Sequence, residues 1–212
     1  MRSHCYERQA LTFRLRLSNH RHVETLRTDS FALLGLALLF AVVAAVVIPC
    51  AGAQSRSEEY HVKAGFLFHF AQLVDWPPEA SVGPSFNLCT VGDDPFHGDL
   101  ENTLESKPIG NRSIRVLHLR QPAEPSSDCR ILFISTSEEQ HLTAIFAQLG
   151  NAPVMTVGET DDFIDKGGMI RFCLEDNRVR FEISLKAAER AKLKFSSRLL
   201  LLAKNVFGRT QE

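Results

Sequence analysis

Apolar and polar positions fall into blocks along this chain, and the period changes from block to block. Phe31–Ile48, FALLGLALLFAVVAAVVI, is eighteen positions without a charge or a polar side chain. Ser57–Val74, SEEYHVKAGFLFHFAQLV, has apolar residues at 60, 62, 64, 66, 67, 68, 70, 71, 73 and 74, then stops at Trp76-Pro77-Pro78. Proline lacks an amide and clashes with the preceding turn, so the spacing predicts a helix that ends there. Its apolar surface is wider than one stripe and predicts burial on more than one side.

The centre alternates strand-like and helix-like periods. Phe86–Val91 reads as a strand and Phe96–Leu104 as a helix, with Asp94 at the N-cap and Pro95 at the first helical position. Ser113–Leu119 alternates with period two. Gln121–Asp128 is a Pro/Ser-rich loop, and Arg130–Ser135 is a continuous apolar strand. Ser137–Leu149 predicts a helix opened by a capping box, Ser137 to Gln140, and closed by Gly150. Val154–Val157 is a short strand, and Phe163–Asp165 a turn before Gly167-Gly168. Met169–Leu174 and Val179–Ser184 then form a hairpin around a four-residue loop, Glu175 to Arg178. Leu185–Phe207 predicts one or two helices, and the run Leu199–Leu202 suggests a widely buried end. This order predicts an α/β fold: a layered mixed sheet, parallel in its first part, with helices packed on it and an antiparallel C-terminal hairpin supplying edge strands.

Charge changes the picture at the N-terminus. Residues 1–30 hold six arginines and three acids, and Pro49-Cys50-Ala51-Gly52-Ala53 follows the apolar run. A basic segment, an apolar segment and an A-x-A site predict an export signal over residues 1–53, cleaved after Ala53. The run is also long enough to span a bilayer, so an uncleaved anchor is the alternative. Cys50 as a lipid-modified residue fits poorly behind Pro49. The basic segment is long, and Val23 or Leu26 as an alternative start leaves the export reading intact. Residues 54–212 then form a single domain with 18 Lys and Arg against 22 Asp and Glu. That mild acidity disfavours both nucleic-acid phosphate backbones and anionic lipid headgroups as partners.

Cys89, Cys129 and Cys173 remain after the leader. An exported protein sits where disulfides persist, and an odd number allows one bridge and a leftover thiol. Cys89 and Cys129 lie in strand-like runs that neighbouring strands would bring into range. Their bridge would close a loop of about 41 residues, worth roughly 4 kcal/mol. Cys173 lies between Phe172 and Leu174 and reads as a small buried hydrophobe. No C-x-x-C or H-x-x-x-H occurs, so neither a metal site nor a cofactor is expected.

Candidate chemistry is sparse. Gly92-Asp93-Asp94-Pro95 follows a strand, where α/β folds place ligands, but it lacks the glycines of a phosphate cradle. His97 beside two acids invites a base role, although a solvated helix-start histidine explains it as well. Gly167-Gly168 suits a tight turn better than a ligand approach. Arg180, Glu182, Lys194 and Ser196, with Ser197, are placed to converge on a small ligand; an edge-strand ion pair is the plainer reading. No constellation meets the standard of a catalytic site, and no enzyme activity is expected. The wide apolar helix faces point to docking, with Phe66, Phe70, Trp76 and Leu199 as candidate partner or dimer surface.

Four segments carry a resemblance: Lys63–Phe68 running to Trp76-Pro77, Val91–Phe96, Phe163–Ile170, and Val179–Ser184 running on to Leu193–Leu200. In order and spacing they resemble the YfiR family over about residues 58 to 206. The resemblance implies a periplasmic α/β repressor that dimerises and holds an inner-membrane diguanylate cyclase of the YfiN type inactive through its periplasmic sensor domain. Cyclic di-GMP signalling and biofilm regulation would follow. It also implies an outer-membrane lipoprotein of the YfiB type as a competing partner, and a bridge between Cys89 and Cys129. A second family bridge around the hairpin has only Cys173 here. A periplasmic small-ligand sensor is the alternative function.

Overall fold

The computed structural model describes residues 51–81, 83–104, 106–119 and 128–208. The apolar run Phe31–Ile48 and the leader reading built on it lie outside the described residues, apart from residues 51–53, which open the first helix. Residues 121–127 of the Pro/Ser-rich loop also lie outside them.

Helix α1 (Ala51–Gln72) meets β1 (Val74–Asp75) just ahead of the prolines. Strand β2 (Ser85–Val91) is followed by α2 (Asp99–Leu104), β3 (Pro108–Ile109) and β4 (Arg112–Leu119). Next come β5 (Cys129–Ile134), α3 (Leu142–Leu149) and β6 (Met155–Gly158). The hairpin is β7 (Ile170–Glu175) and β8 (Arg178–Ser184). The chain closes with α4 (Leu185–Arg190), β9 (Lys194–Phe195), α5 (Ser197–Leu202) and β10 (Asn205–Phe207).

Eight strands make one mixed sheet, ordered β10-β8-β7-β6-β5-β2-β4-β3, and β1 pairs separately with β9. Strands β4, β2, β5, β6 and β7 run parallel to one another, while β3–β4 and β7–β8 are antiparallel. The α/β reading therefore holds, with one correction. The hairpin is not the edge, because β10 lies outside β8 and pairs with it in parallel.

Strand β5 is buried along its whole length. Ile131 and Phe133 face the layer that holds α1, while Leu132 and Ile134 face the layer that holds α3. A strand covered on both faces reads as an unbroken apolar run, as this one does. Helix α1 contributes Ala64, Leu67, Phe70 and Ala71, which are 3% exposed or less. Phe70 stacks on Phe172 at 5.7 Å and meets Phe181 edge-on at 4.9 Å. Burying a side chain of this size contributes roughly 1.5–3 kcal/mol.

This packing corrects two expected surface residues: Phe70 and Leu199 are each 1% exposed and belong to the core. The same Leu run is only partly covered. Leu201 and Leu202 are 84% and 59% exposed, because a six-residue helix packs one face and leaves the rest in water.

Three local expectations shift. The helix after β2 starts at Asp99, not Phe96, because His97 and Gly98 have φ of 51° and 91° and break the helical path. Asp94 instead closes an Asx turn, its Oδ1 accepting from the Phe96 amide at 2.9 Å. The capping box does not form. Thr136–His141 is a 3-10 helix, and Ser137 Oγ accepts from the Asp93 amide at 2.9 Å across to the β2 loop. The hairpin loop is two residues rather than four. Glu175 pairs with Arg178, and Asp176 and Asn177 take φ of 50° and 57°, the left-handed pair that suits the twist of the strands.

Candidate partner surface and binding clefts

Lys63 sits in the middle of the apolar face of α1, and its side chain is only 4% exposed. Its Nζ donates to Glu159 Oε1 at 2.7 Å and also reaches Glu59 one turn back. Tyr60 donates its hydroxyl proton to the other oxygen of Glu159 at 2.8 Å, and the Lys63 ammonium lies 4.3 Å above the Tyr60 ring. Burial, then the neighbouring Glu159 carboxylate, holds the Tyr60 hydroxyl above the ordinary tyrosine range. Glu159 follows β6 directly, so this cluster fastens α1 over the end of the central strands. The sequence signal for it is a lysine amid buried apolar positions; its partner lies too far along the chain to be read.

Glu182 is another buried charge, at 5% exposure. Arg171 donates to its Oε2 from Nε at 2.9 Å and Nη2 at 2.7 Å, while Asn205 donates to Oε1 at 2.7 Å. Arg171 also donates from Nη1 to the backbone and side chain of Asp161 at 3.0 and 2.9 Å. Three strands, β7, β8 and β10, are thus cross-linked through one carboxylate. Burial opposes the Arg171 charge, but its bonds to Glu182 and the nearby Asp161 outweigh that and raise its pKa.

The residues expected to converge on a ligand separate. Glu182 is turned into this network. Arg180 is exposed, 3.8 Å from Glu175. Lys194 is exposed on β9 opposite Asp75. Ser196 caps α5, its Oγ accepting from the Leu199 amide at 3.3 Å. Gly167-Gly168 is a turn: Gly168 donates to Phe163 O at 2.8 Å, and a Cβ there would enter the Phe163 ring.

Cys89 and Cys129 are joined in a disulfide between β2 and β5, with Cα atoms 5.8 Å apart. Cys173 is a free, half-buried thiol rather than a fully buried one. Burial, then the Glu182 carboxylate, pushes its pKa up, which disfavours the reactive thiolate. Among the described residues no group of three His, Cys, Asp or Glu side chains is arranged to hold a metal ion.

Two clefts open on the surface. The first, about 550 Å³, lies between α1 and the hairpin tip, walled by Val62, Phe66, Leu174 and Val179, with Glu58 and Arg178 among its polar lining. Phe66, half-buried, is the one expected surface residue that lines it. Trp76 lies elsewhere, half-buried against Phe86 with ring centroids 5.4 Å apart. The second, about 360 Å³, is polar and lined by Arg56, Tyr60, Asp93, Asp94, His97 and Ser135–Ser137. It lies at the C-terminal ends of β2 and β5, where the strand order reverses. Open α/β sheets form their ligand crevices at such a switch point. Gly92 has φ of 89° and lies so close to Ser137 and Glu138 that a Cβ would collide with both.

The family model described as YfiR/HmsC-like matches residues 60–204. No curated protein matches the chain significantly. A conserved domain protein of Vibrio cholerae is similar with a TM-score of 0.48 and 7% identity, over 68% of this chain and 59% of that one. The ABC domain from Streptococcus pneumonia, solved in complex with L-Trp, is similar with a TM-score of 0.42 and 7% identity, over 57% of this chain and 55% of that one. This chain thus spans less than two-thirds of the length of either solved structure.

Proposed function

The chain belongs to the YfiR/HmsC-like family, a class of non-catalytic periplasmic regulatory proteins, and from that membership we propose that it holds an inner-membrane diguanylate cyclase inactive by binding the cyclase's periplasmic sensor domain. The family match over residues 60–204 carries this reading. It covers the α1 lock, the bridged strands and the Arg171–Glu182 pair. The buried charges found in these parts hold the protein's own elements together. That is what a rigid docking body needs, and it leaves recognition to the surface. The apolar cleft beside the hairpin, with Val62 43% and Leu174 53% exposed, supports a protein-binding role. In this reading residues 1–53 are an export signal, the mature protein is a homodimer, and an outer-membrane lipoprotein competes for it.

The test is direct. Purified protein is titrated against the isolated periplasmic sensor domains of the membrane diguanylate cyclases of the same organism, and cyclic di-GMP is measured in cells with and without the gene. Saturable binding and a rise in cyclic di-GMP on deletion support the proposal. No binding together with unchanged cyclic di-GMP removes it.

The polar switch-point cleft favours a second reading, a small-ligand sensor acting on another membrane partner. Its ligand would lie among Asp93, His97 and Ser135–Ser137 rather than around Arg180, Glu182, Lys194 and Ser196. Thermal-shift screening with polar metabolites tests it. Flat melting curves across the panel would exclude it.

A further inference from the structure

The end of the domain differs in charge from everything before it. Between Leu185 and Gly208 there are six Lys and Arg and one acid, Glu189, whereas residues 54–184 hold 11 basic and 20 acidic side chains. All six cations are exposed. The same stretch holds three of the five large apolar side chains exposed among the described residues: Leu201 at 84%, Leu202 at 59% and Phe207 at 44%.

The fold gathers these groups. In α5, Leu199 points into the core while Arg198, Leu201 and Leu202, spaced three and four apart, share the outward face. Strand β10 then returns along β8, which sets Phe207 opposite Ser184 and Gly208 against the backbone of Lys186. Lys204 pairs with Glu175 at 2.8 Å and Arg190 donates to Gly167 O at 2.9 Å, so both are partly committed.

We propose that this face, built from α4, β9, α5 and β10, docks on an anionic phospholipid bilayer. Lys186, Lys194 and Arg198 would meet the headgroup phosphates, and Leu201, Leu202 and Phe207 would enter the boundary of the acyl chains. Exposed cations beside a few protruding apolar side chains match the two layers of a bilayer surface. A protein interface is built differently, with lysine depleted and apolar groups buried against a complementary wall. Leucines this exposed suit insertion into a fluid phase. The inference does not depend on the identity of any cyclase.

The test uses the full chain with vesicles of phosphatidylcholine alone and of phosphatidylcholine with phosphatidylglycerol, followed by hydrogen exchange resolved to residues 198–208. The local readout separates this face from any lipid binding by residues 31–48. Protection of residues 198–208 is expected on the anionic vesicles only, and high salt should abolish it. A triple variant, Lys186→Glu, Lys194→Glu and Arg198→Glu, should bind anionic vesicles through this face at least roughly 100-fold more weakly. Leu201→Ser with Leu202→Ser, both at exposed positions, should remove the protection without lowering the melting temperature. Absence of protection on anionic vesicles, or equal protection on neutral ones, overturns the proposal. Protection by native membranes but not by protein-free lipid would assign the face to an acidic protein partner and overturn it as well.

Discussion

The ammonium of Lys63 lies 2.7 Å from Oε1 of Glu159, 96 residues further along the chain and inside the domain. The pair ties α1 to the end of β6, and Tyr60, which donates to the same carboxylate, lines the switch-point cleft. Both side chains are nearly removed from water, at 4% and 11% exposure, so each relies on the other, together with Glu59 and Tyr60, to offset its lost hydration.

Lys63→Met should therefore cost about 3–5 kcal/mol, since it strands a buried carboxylate. Urea denaturation reads this as a lower midpoint with an unchanged slope. Pairing it with Glu159→Leu should recover much of the loss. A double variant no more stable than the single one would show that the charges are not coupled.

Glu182→Ala should cost a similar amount, roughly 3–5 kcal/mol, because Arg171 and Asn205 lose their shared acceptor. Amide exchange in Asn205–Phe207 should accelerate, as β10 is held by that carboxylate. Arg180→Ala, on the exposed face of the same strand, should change stability by no more than about 0.5 kcal/mol.

Reducing the Cys89–Cys129 bridge should lower stability by about 4 kcal/mol, the value expected for a loop of this length. Denaturation midpoints with and without a reductant measure it. The Cys89→Ala, Cys129→Ala variant should match the reduced protein and show no further response to reductant.

Alkali should unfold the protein through Tyr60. Its hydroxyl is held above the ordinary tyrosine range by burial and by Glu159, so the folded state keeps the proton more tightly than the unfolded state. The stabilisation is full below about pH 10, the unfolded value, and is lost as pH climbs beyond it. By ultraviolet absorbance Tyr60 should titrate only as the fold opens. Tyr60→Phe should weaken the pH dependence of the melting temperature in this range.

Much of this architecture is legible in the sequence because local period and burial agree. The run around Ile131–Ile134 is apolar throughout because both sheet faces are covered, and Gly150 ends its helix with φ of 52° as a C-cap glycine should. What escapes is set by distant partners. Ser137 has every local reason to cap its own helix, yet a loop from β2 supplies a better donor. Period two puts Glu182 opposite Phe181 and Ile183, but only the later arrival of Asn205 on β10 reveals that this second face is closed. Phe70 and Leu199 read as surplus apolar surface because the strands that cover them lie elsewhere in the chain. His97 adopts a left-handed backbone that its side chain gives no hint of.

Strand β10 shields only the last part of β8: it pairs with Glu182–Ser184, and the Lys204 amide takes up Phe181 O. The remaining outer stretch, Arg178–Arg180, carries two exposed arginines. Like charges at that position resist recruitment of a second copy's strand into a growing fibril. The guanidinium groups of the hairpin thus act as solubility guards, keeping the molecule from polymerising through its own sheet.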